Sequence, residues 1–157
     1  MNGAAAMPRT GSYILLTVAG TTYAVPSADV RHVEMIEDIT QVPNAPAFVD
    51  GVVFSRGQVV PVINLRARFG FERTRFDLRS RLIVAQSQGR FIGLVADGAR
   101  EFVTIPDAVI QPPNEALAGM SGRYVEGVAS IGDRLIFILS LDRILDSAEA
   151  LSVGLAD

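Results

Sequence analysis

The chain has 157 residues, 49% of them apolar and 20% charged, with a formal net charge of −3. It can bury a core of single-domain size, and it is neither a disordered chain nor a polycation of the nucleic-acid-binding kind. All 14 basic residues are arginine and there is no cysteine, which excludes lysine Schiff-base chemistry, thiolate catalysis, disulfides and cysteine-ligated metals.

Residues 1–11, MNGAAAMPRTG, are small and Gly/Ala-rich, without the charged and then apolar regions of a signal peptide, and read as a flexible N-terminus. From there the chain is a series of short runs rich in Val, Ile, Phe and Tyr, cut by Gly, Pro or Asp: Tyr13–Val18, Thr22–Val25, Val52–Phe54, Val59–Ile63, Leu82–Ala85, Phe91–Val95, Tyr124–Ala129 and Leu135–Leu139. Closely spaced runs of this kind predict strands of a barrel or sandwich. Two segments read as helix: a short one near 27–33, with Ser27 as N-cap, and a C-terminal one near 141–151, where Leu141, Ile144, Leu145 and Ala148 share a face. The longest strongly apolar run, Leu135–Leu139, is far short of the ~20 residues that span a bilayer. The Pro-flanked stretches Gln41–Pro46 and Ile110–Asn114 read as rigid connectors.

The chain repeats itself. FVDGVVFSRGQVVPVINL, from Phe48, aligns without a gap on YVEGVASIGDRLIFILSL, from Tyr124, at an offset of 76 residues. Upstream, Ile14–Ile36 aligns more weakly on Ile83–Ile105 at an offset of 69, with Gly20 on Gly89 and Arg31 on Arg100. Two copies of a small β unit, burying apolar faces against each other, satisfy this pattern. The halves would run over about 12–70 and 81–140, joined by a charged connector, and the pattern leaves open an exchange of strands between them.

Within the first copy, Arg56 stands at the tip of a tight turn between two apolar runs. Its counterpart in the second copy is Gly132. The turn therefore does not need an arginine; Gly57 can supply the positive φ, and the Arg56 side chain is available for binding.

Signals for catalysis are weak. His32 is the sole histidine, and no nucleophile elbow or phosphate-binding glycine motif accompanies it. Glu34, Glu37 and Asp38 lie near it without zinc or calcium spacing. Asp50 and Glu126 occupy equivalent repeat positions before glycines and read as strand-entry residues. The expectation is a non-enzyme without cofactor or metal. Arg66–Arg81 holds six arginines (66, 68, 73, 75, 79 and 81) against Glu72 and Asp77, either a solvated connector or a patch for an acidic partner or nucleic acid.

Taken in order, certain residues resemble one family closely. They are Tyr13-Ile-Leu-Leu, Gly20-x-x-Tyr23-Ala-Val-Pro26, Val30-x-x-Val33-Glu34, Pro46-x-Phe-Val-x-Gly-Val52, Arg56-Gly-x-Val-Val-Pro-Val-Ile-Asn-Leu-Arg66, Phe69-Gly70, Gly93-Leu-Val-Ala-Asp97, Ile110-x-Pro-Pro113 and Tyr124-x-x-Gly-Val128. The chain resembles the CheW family of bacterial chemotaxis scaffold proteins, over a single domain of about 12–146. The resemblance implies an all-β fold of two linked five-stranded SH3/OB-like barrels around a shared core. It also implies a non-catalytic adaptor that joins chemoreceptor cytoplasmic tips to the regulatory domain of a CheA-type histidine kinase, in the cytoplasm at inner-membrane receptor arrays. In that family the turn arginine, here Arg56, is associated with receptor engagement. Val30, His32 and Val33 would flank the receptor groove, with Gly51 and Gly57 beside it. Two departures stand out: the family's Asn-Leu-Arg-Gly turn is Phe54-Ser-Arg-Gly57, and His32 replaces a frequent carboxylate. Both suit a specialised receptor set.

Overall fold

The computed structural model describes residues 10–113 and 121–145. The first half supplies strands β1 (Thr10–Val18), β2 (Thr21–Pro26), β3 (Val30–Met35), β4 (Val49–Ser55) and β5 (Gln58–Asn64), then a one-turn helix α1 (Leu65–Arg68). The second half supplies β6 (Arg81–Ser87), β7 (Arg90–Ala96), β8 (Gly98–Pro106), β9 (Ile110–Gln111), β10 (Val125–Ile131), β11 (Arg134–Leu139) and helix α2 (Leu141–Ile144). All eight runs read as strands fall in strands, save that Tyr124 ends a 3₁₀ turn just before β10.

Three segments differ from expectation. The helix near 27–33 shrinks to a 3₁₀ turn, Ser27–Asp29, without a side-chain cap from its flanking residue, because Val30–Met35 pairs with β6 instead. Strand β8 has no apolar run; its residues 100–102 are exposed, as an edge strand allows. Helix α1 is capped by Asn64, whose side-chain oxygen accepts from the Ala67 amide at 3.1 Å. The repeat places α2 at the same point of the second copy, capped by Ser140 from the Arg143 amide at 3.3 Å. The C-terminal helix is described as far as Ile144; residues 146–151 lie outside the described residues, as do residues 1–9.

The strands form two sheets with one plan, ordered β8-β1-β2-β11-β10-β9 and β3-β6-β7-β5-β4. The missing sixth strand of the second sheet is replaced by a single bridge, Thr40 to Val52, where the first sheet pairs Gln111 with Val128. Each sheet takes one hairpin from the opposite half of the chain: β6–β7 sits between β3 and β5, and β1–β2 between β8 and β11. The two parallel contacts, β5 with β7 and β11 with β2, are the seams where halves meet.

The repeat holds at the level of individual hydrogen-bond partners. Val30 faces Ala85 and Val33 faces Ile83; 69 positions away, Ala99 faces Leu16 and Phe102 faces Ile14. Both edge strands carry the same irregularity, which leaves Arg31 and Arg100 unpaired in the ladder. A second bulge recurs at Asp50 and Glu126. These acids are thus bulge residues inside β4 and β10, not strand-entry residues.

Burial follows from this layout. One cluster (Val53, Val60, Val62, Leu82, Val84, Val95) fills the interior of the β3–β7 sheet, and a second (Leu15, Ala24, Ile105, Ala129, Ile136, Ile138) fills the other. The largest lies between them and draws on both halves, with Phe69 ringed by Tyr23 and Tyr124 at centroid distances of 5.1 and 5.5 Å. Alternate residues of one strand feed different clusters, Val62 the inner and Ile63 the shared one, which is the period-2 rule applied to a sheet covered on both faces.

Candidate functional site

The β4–β5 turn puts Arg56 and Gly57 at φ values of 48° and 81°, the two-residue geometry whose twist matches the flanking strands. Gly57 supplies positive φ as expected, and Arg56 adopts it too. The same geometry recurs in the Ala19–Gly20 and Gln88–Gly89 turns, and Gly132 at Arg56's counterpart position has φ 59°. Alanine, glutamine and glycine all serve there, so the backbone gives no reason for arginine.

Below the tip, Phe54 and Val59 face each other across the hairpin and are 75% and 57% exposed. The sequence shows both only as members of apolar runs read as strands. Their counterparts, Ser130 and Leu135, leave one exposed aliphatic side chain where the first copy has an aromatic–aliphatic pair. An apolar pair topped by a guanidinium is the make-up of a protein-docking patch.

Ser55, adjacent to Arg56, is buried and points inward. Its hydroxyl lies 3.0 Å from His32 Nε2 and donates to Glu34 Oε2 at 3.3 Å. The imidazole and the Glu34 carboxylate approach to 2.7 Å. Strands β3 and β4 are the two edges of their sheet, so these side chains clasp the barrel shut directly under the Arg56 turn.

The predicted groove residues do not share one face. His32 pairs with Val84 and faces the barrel interior, whereas Val30 and Val33 pair with Ala85 and Ile83 on the opposite face. Val30 packs against the shared core, and Val33 is exposed beside Met35. Gly51 is buried at a φ of 138°, and an added Cβ would collide with the Thr40 carbonyl. That glycine therefore admits the Thr40–Val52 bridge.

The arginine-rich connector is spent largely on the fold. Arg66 makes a bidentate pair with Asp97 at 2.9 Å, raising the guanidinium pKa chiefly through that hydrogen bond. Arg68 lies between the Phe48 and Tyr124 rings, at 4.0 and 5.0 Å from their centroids, and donates to the Ile144 carbonyl. Arg73 pairs with Asp50 and the Ala47 carbonyl, and Arg81 donates to the Leu78 and Ser80 carbonyls.

A polar cleft brings together Pro26, Asp29, Ser87, Glu126 and Asp142. Burial, then the Arg143 guanidinium pulling the other way and the neighbouring acids Asp142 and Asp29, leave the Glu126 pKa raised overall. Burial and Asp142 raise that of Asp29. Among the described residues no group of three or more His, Asp or Glu is arranged to hold a metal ion, and no helix is long and apolar enough to cross a membrane.

Two pseudo-equivalent β-barrels that exchange hairpins, with an arginine-tipped exposed apolar pair on one of them, define the architecture. The sequence pattern of the CheW-like domain matches residues 12–149. The chain belongs to the CheW-like family of non-catalytic scaffold proteins. It is similar to the chemotaxis protein CheW of Rhizobium meliloti (strain 1021), 32% identical over 136 residues that cover 87% of this chain and 88% of that one. It is also similar to protein FrzA of Myxococcus xanthus, 31% identical over 90% of this chain and 89% of the relative. The crystal structure of the scaffolding protein TtCheW from Thermoanaerobacter tengcongensis superposes with a TM-score of 0.82 at 30% identity, covering 90% of this chain and 94% of that one.

Proposed function

We propose that the chain is the adaptor of a chemosensory array, holding chemoreceptor cytoplasmic tips and the regulatory domain of a CheA-type histidine kinase together on the cytoplasmic side of the membrane. The observation that carries this reading is Arg56, displayed above the exposed Phe54–Val59 pair on a turn whose repeat counterpart is glycine. In this reading Arg56 contacts the receptor tip. Val33 lies on the outer face of β3, and His32, Val30, Gly51 and Gly57 shape the scaffold that presents the arginine. A signal would cross by geometry, in the manner of a helix seated against an apolar surface.

The test is calorimetric titration of the chain with the kinase regulatory domain, and separately with a soluble receptor-tip fragment, both from the same genome. Binding to both is expected, and Arg56→Ala should weaken the receptor arm about tenfold or more, as a hot-spot arginine does. Receptor-tip binding unchanged in Arg56→Ala would sink the assignment of Arg56. The competing reading, an anionic ligand on Arg66–Arg81, loses force because Arg66, Arg68, Arg73 and Arg81 are held by internal partners. Steep loss of partner binding between 50 and 200 mM salt would revive it.

A further inference from the structure

The two barrels close their edges differently. In the β3–β7 barrel, His32 and Glu34 of one edge meet Ser55 of the other through hydrogen bonds. In the second barrel the repeat places Glu101, Val103 and Ile131 at those positions. Glu101 is exposed, while Val103 and Ile131 pack against the apolar interior. The equivalent strands β8 and β10, the latter flanked by β9 rather than forming an edge, thus set two apolar side chains and an exposed acid at these positions. A polar closure must hold its partners in a definite geometry to offset their desolvation, whereas apolar contacts are non-directional. The directional version occurs in the one barrel whose turn carries arginine, and Ser55 is the residue from which that turn departs.

We infer that His32, Glu34 and Ser55 are positioning residues for Arg56, orienting the turn so that the guanidinium is presented in one direction. In this mechanism His32 and Glu34 act through the Ser55 hydroxyl. The mechanism rests on the docking reading of Arg56 given above. It adds that the turn is pre-ordered before the partner arrives, which reduces the entropy lost on binding. It also gives a physical use for histidine at position 32: the ring nitrogen reaches both the hydroxyl and the carboxylate at once, and so ties two residues of different strands together.

The experiment compares Ser55→Ala, Ser55→Thr and Glu34→Gln with the parent chain, with thermal midpoints recorded to confirm folding. The first readout needs no partner. In Ser55→Ala, NMR order parameters of the Arg56 and Gly57 amides should fall from the rigid range near ~0.85 towards ~0.6, while those of Gly132 and Asp133, the internal reference, stay put. Ser55→Thr keeps the hydroxyl and should preserve the parent values. The second readout is receptor-tip affinity in a double-mutant cycle. Ser55→Ala should weaken binding about fivefold in the parent and have no further effect in an Arg56→Ala background, the signature of action through Arg56. Unchanged order parameters at Arg56–Gly57 in Ser55→Ala would overturn the inference. So would a Ser55→Ala loss of the same size with and without Arg56. If Arg56→Ala binds like the parent, the docking reading fails, and the order parameters alone decide whether the clasp holds the turn.

Discussion

The β4–β5 hairpin and the β10–β11 hairpin are the same object built twice, and they differ where a partner could reach them. Both begin with a bulge at an acid followed by a glycine, both end in a one-turn helix capped by a polar side chain, and both bury alternate residues in matching clusters. They part at the tip and the exposed face: Arg56 against Gly132, the Phe54–Val59 pair against Ser130–Leu135, the Ser55 clasp against Ile131. Positions shared by the copies are explained by packing. Of those that differ, Arg56, Phe54 and Val59 are exposed and collect on one surface, while Ser55 lies buried beneath them. An internal repeat thus separates residues kept by the fold from residues added to it.

The sharpest way to break the comparison is at the bulge glycines. Gly51→Ala would drive a Cβ into the Thr40 backbone carbonyl at a φ of 138° and should cost about 3 kcal/mol or more in urea unfolding. Gly127→Ala meets a side-chain methyl of Ile110 instead, which can move, and should cost about 1–2 kcal/mol. Equal losses would show that the bridge at Thr40 is as yielding as β9.

Arg68 tests the seam between the halves. It sits between Phe48 and Tyr124, themselves repeat counterparts, and donates to the carbonyl of Ile144, its own counterpart. Arg68→Ala should lower stability by about 2 kcal/mol through lost ring contacts and a charge-assisted hydrogen bond, with the same unfolding midpoint by fluorescence and circular dichroism. Two separated midpoints would mean that the barrels unfold independently.

Arg56→Gly turns the first tip into the second. Stability should move by less than about 1 kcal/mol, since relief of the left-handed conformation and the added chain entropy oppose each other, while receptor-tip affinity should drop about tenfold. A large stability change would make Arg56 a structural residue.

The smallest expected effect concerns the bulge acids. Asp50 is paired with Arg73 and accepts from Asn64; Glu126 sits in the polar cleft with its pKa raised. A raised pKa in the fold means that Glu126 contributes stability below its unfolded pKa and that this is lost as pH rises through the folded value. Thermal midpoints of Glu126→Gln should therefore exceed the parent's at neutral pH and converge with it near pH 4, whereas Asp50→Asn should be destabilising at neutral pH because it weakens the Arg73 pair. A parent-like profile for Glu126→Gln would leave Asp29 as the main source of the acid-side slope.

Much of the fold was legible. The eight apolar runs declared their strands because each is covered by apolar clusters on at least one face, and the offset of 76 anticipated that β4 and β5 would recur as β10 and β11; the helix α1 that matches α2 was not anticipated. The edges were not legible. Strand β3 looked helical because Val30 and Val33 are three apart, a spacing that a bulge at Arg31 also produces within a strand. Strand β8 escaped notice because its ladder partner hides one edge and its exposed side tolerates Arg100, Glu101 and Phe102. Of the candidate site, Arg56 could be found by comparing the two copies, but Phe54 and Val59 look like any core pair in a β-rich sequence.

By itself, then, the sequence determined the strand content, the duplication and the odd arginine, because these depend on local periodicity and on one copy read against the other. Only the tertiary structure decided which hairpin enters which sheet, that His32 turns inward to meet Ser55, and that Phe54 and Val59 face solvent. Strand partners are chosen by long-range pairing and burial, and neither is encoded within the few residues that a local pattern spans.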